Sequence, residues 1–134
     1  MSKTDIPAVC RAAVASGRKM GLELDYTPES VSGIEKVLAG QSTLYREGKL
    51  TPVYVWNLSV MLGVYIGQTL MRCGLEGYGY SWQEDSEGVP LLTDGKGNYV
   101  SPIYQVRTRI VSGDKEENVR AFFEAILNAA ELPK

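Results

Sequence analysis

Apolar residues recur along this chain with two different periods, and the change of period divides it. Near the start they fall at Ile6, Val9, Cys10, Ala13, Val14, Gly17 and Met20. That is the three-and-four spacing of one helix face, and Arg11, Arg18 and Lys19 lie elsewhere on it. Thr4 or Asp5 can cap this helix, Pro7 is tolerated in its first turn, and Gly21 ends it. A second helix, from Pro28 to about Tyr45, is expected to bury Val31, Ile34, Val37, Leu38 and Leu44 and to stop near Gly48. Three pairs, Thr27-Pro28, Thr51-Pro52 and Ser101-Pro102, repeat one device. A hydroxyl at the N-cap precedes a residue whose fixed φ suits the first helical position and whose missing N–H costs nothing there.

The third helix carries most of the information. From Thr51 to Met71 there are twenty-one residues without a charge, and apolar side chains from Val53 to Met71 cover every side of the cylinder. Such a helix must be surrounded, by a bilayer or by the rest of the protein. Gly63 and Gly67 have the spacing of a membrane helix contact. However, Asn57, Ser59, Gln68 and Thr69 interrupt the span, and its amphipathic neighbours need a partner for their own apolar faces. The soluble reading follows, with no membrane as partner. In it Ser59, Gly63 and Gly67 form a small-residue groove, and the Ala-rich first helix is the expected occupant.

After Gly74 the period falls to two. Tyr78, Tyr80 and Trp82 alternate with Gly79, Ser81 and Gln83, which predicts a strand over 78–85. A turn over 85–88, a strand over 89–93, a tight turn over 94–97 and a strand over 98–101 complete a small three-stranded antiparallel meander. Pro90 cannot donate to a ladder, so its strand lies at an edge or its nitrogen points away from a partner. Residues 102–111 fit either a fourth strand or a helix face of Ile103, Val106 and Ile110; the Ser-Pro start and the Gly113 stop favour helix. Asp114 with Glu117 suggests a capping box for a last helix to about Ala130, with Val119, Phe122, Phe123, Ile126 and Leu127 inward. The chain is therefore read as one α+β domain over residues 1–134, with three N-terminal helices, the meander and two C-terminal helices.

Composition narrows the chemistry. With 44 % apolar and 22 % charged residues the chain is too apolar for a disordered segment. Fourteen basic against sixteen acidic residues give a net charge of −2, so no basic field draws in nucleic acid. There is no histidine, which removes Ser-His and Cys-His nucleophilic pairs and the usual zinc sites. An enzyme would have to work with Asp, Glu, Tyr, Lys and Arg alone, and no motif groups them; no catalytic residue, metal or cofactor is expected. Cys10 and Cys73 form no Cys-x-x-Cys pair and read as small buried hydrophobes in a reducing cytoplasm. The first residues lack the continuous apolar stretch of a secretory signal.

The stretch from Leu62 to Phe123 resembles a family of small bacterial proteins of unknown function. The resemblance is carried by Leu62-Gly63 and Gly67 on a long apolar helix, a Gly-aromatic entry to a strand containing Trp82, and acidic residues with Gly88 at a hairpin. Val100, Pro102 and Arg109-Ile110 before Gly113 complete it. It implies helices packed on a small sheet and a helix after Pro102, and it supplies no catalytic residue.

Four groups could carry function. Tyr78, Tyr80 and Trp82 are large, rigid aromatics suited to contact hot spots, or to a core-facing strand side. Glu84, Asp85 and Glu87 are three carboxylates in four residues, suited to steering a basic partner, or simply to a solvated turn. The glycines and lysine of Asp94-Gly95-Lys96-Gly97-Asn98 suit a phosphate cradle, but with no Walker pattern and strands on both sides the segment reads as a hairpin turn; Arg107 and Arg109 with Lys115 suit contact with a phosphate or carboxylate, or simply a solvent face. The leading expectation is a non-enzymatic cytoplasmic binding protein with a protein partner. Its most concrete form is an immunity protein that occludes the basic cleft of a toxin. The alternatives are a small-molecule sensor or carboxylate enzyme with a pocket lined by Tyr65, Gln68 and Trp82 between meander and central helix, and a structural homodimer.

Overall fold

Five helices and a three-stranded sheet make up the computed structural model, which describes residues 4–131. The order is α1 (Ile6–Lys19), α2 (Pro28–Arg46), α3 (Pro52–Leu70), β1 (Ser81–Glu84), β2 (Pro90–Thr93), β3 (Tyr99–Val100), α4 (Pro102–Ser112) and α5 (Val119–Ala129). The α+β class and the helical identity of the segment after Pro102 are as expected. Local chemistry sets most of the starts. Asp5 accepts from the Ala8 N–H at 3.1 Å, Thr27 from Ser30 at 3.3 Å and Thr51 from Tyr54 at 3.1 Å. Ser101 departs from the expectation: its side chain makes no capping bond, and α4 starts on proline alone. The capping box at Asp114 is also not formed. Asp114 caps a 3₁₀ turn, Lys115–Glu117, and Asn118 caps α5, accepting from Arg120 and Ala121 at 2.8 and 3.1 Å. Glu117 instead accepts from the Gln105 amide at 3.0 Å.

Helix α3 is the axis of the molecule. Leu62, Tyr65, Ile66 and Leu70 are at most 1 % exposed, and each buried side chain of this size contributes about 1.5–3 kcal/mol before entropy is charged against it. The helix is long and apolar enough to cross a membrane, yet 67 % of its most apolar stretch is buried inside the molecule. Its buried serine and threonine are satisfied within it. Ser59 donates to the Val55 carbonyl at 2.7 Å and Thr69 to that of Tyr65 at 2.9 Å, so neither hydroxyl is orphaned. The enclosure is incomplete at one end: Val53 and Tyr54, in the first turn, are 69 % and 44 % exposed.

The small-residue groove exists, but α1 does not occupy it. A Cβ on Gly63 would lie 2.5 Å from the Ile103 Cα, so the start of α4 rests on the backbone of α3 there. A Cβ on Gly67 would lie 2.4 Å from the Trp82 ring. The groove therefore takes one helix end and one indole, which docks both α4 and the sheet onto α3.

The sheet order is β1-β2-β3, fully antiparallel, with Trp82 opposite Leu92 and Leu92 opposite Val100. The strands are shorter than the sequence pattern suggests, and Tyr78 lies in a turn before β1. Pro90 begins the central strand opposite Glu84, while β3 reaches only Leu92 and Thr93, so no ladder donor is missed. One apolar cluster joins Ala13, Ile34, Leu62, Leu92, Ile110 and Phe123, residues from all five helices and the sheet. Val37 and Leu44 of α2 are only half-buried.

Arg109 corrects the sequence reading most sharply. It is not on a solvent face: it is 5 % exposed, and its guanidinium meets Glu35 of α2 at 2.9–3.2 Å through Nε and a terminal nitrogen. Glu35 also accepts the Val119 N–H at 3.0 Å, at the start of α5. One carboxylate thus ties three helices together.

Candidate functional site

The chain leaves α3 through a π-turn, Met71–Leu75, in which Gly74 has φ 133°. The Tyr80 N–H returns to the Leu75 carbonyl at 3.0 Å, which closes a loop and leaves Tyr78 57 % exposed at its tip. On β3 the pleat sends Val100 inward and Tyr99 outward, and Tyr99 is 68 % exposed. Both tyrosines border a groove of about 340 Å³ between the loop, the β2–β3 turn and the end of α5. Tyr80, Asp94, Asn98 and Val100, with Ile126, Ala129 and Ala130 from the end of α5, complete its walls. Three phenols, an apolar floor and one carboxylate therefore share a single depression.

That carboxylate is held rigidly. Asp94 accepts from the Asn98 side-chain amide at 2.7 Å and from the N–H groups of Lys96 and Asn98 at 2.8 and 3.2 Å. These bonds, the Asn98 amide first, hold its carboxyl below the usual range, so it stays charged. Burial pushes the Tyr80 phenol up, and the Asp94 charge adds to the shift, so Tyr80 presents a neutral hydroxyl. The arrangement suits recognition of a partner side chain that carries positive charge on an apolar stem.

The residues singled out in the sequence divide between this groove, the core and the far end of the sheet. Tyr78 and Tyr80 line the groove. Trp82 is taken into the fold: its ring covers Gly67 and its indole N–H donates to the Gln68 oxygen at 3.0 Å. Glu84 ends β1 and Asp85 and Glu87 follow it, so these acids start about 13 Å along the strand from Tyr80. Glu84 accepts the Thr4 N–H at 2.9 Å. Asp85 accepts from Glu87 and Val89 N–H groups at 2.8 and 3.0 Å and from the Tyr104 hydroxyl at 3.3 Å. The Val89 N–H is the main reason its carboxyl lies below the usual range. Only Glu87 of the three projects freely into solvent. Tyr78 and Tyr80 are therefore separated from the acids, and of the expected set only Trp82 and Glu84 border one depression.

No family model, characterised protein or solved structure matches this chain. Geometry alone carries the functional reading. Tyr65, Gln68 and Trp82 do not line one pocket: Tyr65 is wholly buried, its hydroxyl accepting from the Tyr26 N–H at 2.7 Å and bonded to Ser30 at 2.7 Å. Gln68 and Trp82 border different depressions. Tyr99 and Ile126 carry no site signal in the sequence, and Asp94 stands out there only as part of its turn. Tyr99 lies in a two-residue strand, too short for a period to register. Asp94 was legible only as a turn former, and Ile126 only as a core position.

Proposed function

We propose that this chain is a non-enzymatic protein-binding module whose contact surface is the tyrosine groove. The observation that carries the reading is the pair Tyr78 and Tyr99, both more than half exposed, on the rims of one depression whose charge is Asp94. Exposed large aromatics with few rotamers are characteristic interface anchors, and a pre-fixed carboxylate pays little ordering entropy when it meets a cation. The partner presents a lysine or arginine in a cleft, and the module works by covering that cleft. A cytoplasmic immunity protein that occludes a toxin is the form of module this chemistry fits. Glu87 and its neighbours act at a distance, adding negative potential that speeds encounter with a basic partner.

The test begins with a photo-crosslinking amino acid at position 99 and, as a control, at exposed Lys36 on α2. The partner trapped from position 99 is then purified and titrated calorimetrically with the unmodified chain. A single-site complex is expected, with Tyr78→Ala and Tyr99→Ala each weakening it by about thirtyfold, the scale of an interface hot spot. Equal trapping from both positions, or variants that bind as tightly as the parent, would refute the proposal.

A further inference from the structure

We infer that a second site, the cleft between α1 and the π-turn after α3, binds a small oxyanion of the phosphate-monoester class through Arg11, Arg72 and the Gln68 amide. The cleft has a volume of about 220 Å³ and shares no residue with the tyrosine groove. No carboxylate lines it. Among the described residues neither Arg11 nor Arg72 makes an ion pair, although Arg109 and Arg120 do. Two guanidiniums therefore border one depression with nothing acidic in its walls, an arrangement that repels itself until an anion enters.

The Gln68 amide adds a further donor. The Gln68 oxygen is taken by the Trp82 indole N–H at 3.0 Å, which leaves the amide nitrogen as the end free to donate. Arg72 is also pre-oriented, because its guanidinium stacks 3.7 Å from the centre of the Tyr26 ring. Tyr26 itself is held in an unusual backbone state, with φ 62°. Its N–H donates to the Tyr65 hydroxyl, and its ring rests 5.0 Å from that of Tyr65. A bulky residue persists in this region only where its surroundings over-determine it, and such residues concentrate at ligand sites. The result is a rigid aromatic shelf under one guanidinium, with a second guanidinium across the cleft. Cys10 lies in the wall: burial raises its thiol pKa, and the Tyr26 hydrogen bond, then the charges of Arg72 and Arg11, act against that rise. Two charged forks and an amide donor with no carboxylate beside them favour an acceptor-only ligand, and a tetrahedral dianion offers more acceptor oxygens to two planar forks than a monocarboxylate does. The cleft's size restricts that ligand to a small molecule or a terminal phosphate.

Nuclear magnetic resonance of the full-length chain tests this directly, by titrating inorganic phosphate at constant ionic strength and following the Nε–H signals of the arginines and the side-chain amide of Gln68. Saturable shifts confined to Arg11, Arg72, Gln68 and the Tyr26 amide are expected. Acetate at the same ionic strength should bind at least about tenfold more weakly. Arg72→Gln and Arg11→Gln should each weaken phosphate binding by about tenfold or more while the dispersion of the spectrum is unchanged. Shifts that never saturate, that spread equally to exposed Arg18 and Arg107, or that survive both substitutions would overturn the assignment. The two arginines are exposed, so either variant alone keeps the test decisive if the other loses its fold.

Discussion

Replacing Arg109 by alanine removes one half of a buried ion pair and strands the other. The two side chains are only 6 % and 13 % exposed, and Glu35 would keep one donor, the Val119 N–H. A carboxylate left in that position costs about 3–5 kcal/mol, far above the 0–1 kcal/mol typical of exposed pairs. Unfolding entropy near 2.1 cal/mol/K per residue gives a chain of this length about 0.3 kcal/mol/K, so the melting temperature should fall by roughly 10–17 °C. The double variant Glu35→Leu with Arg109→Met is the informative partner. It removes both charges together, keeps volume, and leaves one N–H unsatisfied at about 1 kcal/mol. It should therefore be more stable than Arg109→Ala, and the cycle closed by the single variants Glu35→Leu and Arg109→Met should show strong coupling. Urea unfolding followed by far-UV circular dichroism measures all of these. If Arg109→Ala costs less than about 1 kcal/mol, or the double variant is as unstable as the sum of the singles, the pair is not the buried joint described above.

Two glycines should answer the same substitution with opposite sign. Gly63→Ala drives a methyl into the Ile103 backbone and should destabilise by at least about 1–3 kcal/mol, whereas Gly40→Ala, in helical backbone with nothing within 4 Å, should stabilise by about 0.4–1 kcal/mol in denaturant titrations. Asp85 and Asp94 have folded-state pKa values below their unfolded values, so their stabilisation is present above the unfolded pKa near 4 and is lost as pH falls through the folded value. Melting temperatures measured from neutral pH downward should drop in that acid window, and less steeply in Asp94→Asn. Burial raises the thiol pKa of both cysteines, so a thiol reagent at neutral pH should label native Cys10 and Cys73 far more slowly than the unfolded chain.

Much of the fold was legible because the controlling interactions are local. Thr27, Thr51 and Asp5 each govern a helix start through atoms three residues away, and the switch of period after Gly74 marks the sheet without any knowledge of its neighbours. What was not legible depends on which element approaches which. The groove of Ser59, Gly63 and Gly67 announces close contact, but its occupants, Ile103 and Trp82, are chosen by the path of the chain. The joint of Glu35 and Arg109 spans seventy-four positions. Arg109 follows Val106 by three on the apolar face of α4, and Glu35 follows Val31 by four on α2, so a charge on each buried stripe was the available signal. The tyrosine groove was half visible, since the alternation singled out Tyr78 and Tyr80. Its other rim comes from β3 and α5, which only tertiary packing brings there, while the extended length of β1 sets Glu84, Asp85 and Glu87 away from it.

Hydrogen exchange on the reconstituted complex with the partner trapped at position 99 tests the central claim most directly. The account predicts slowed exchange confined to amides 78–80, 94–99 and 126–130, with α2 unchanged. Protection centred on α2, or on the exposed first turn of α3 at Val53 and Tyr54, with the tyrosine groove still exchanging at its free rate, would contradict it.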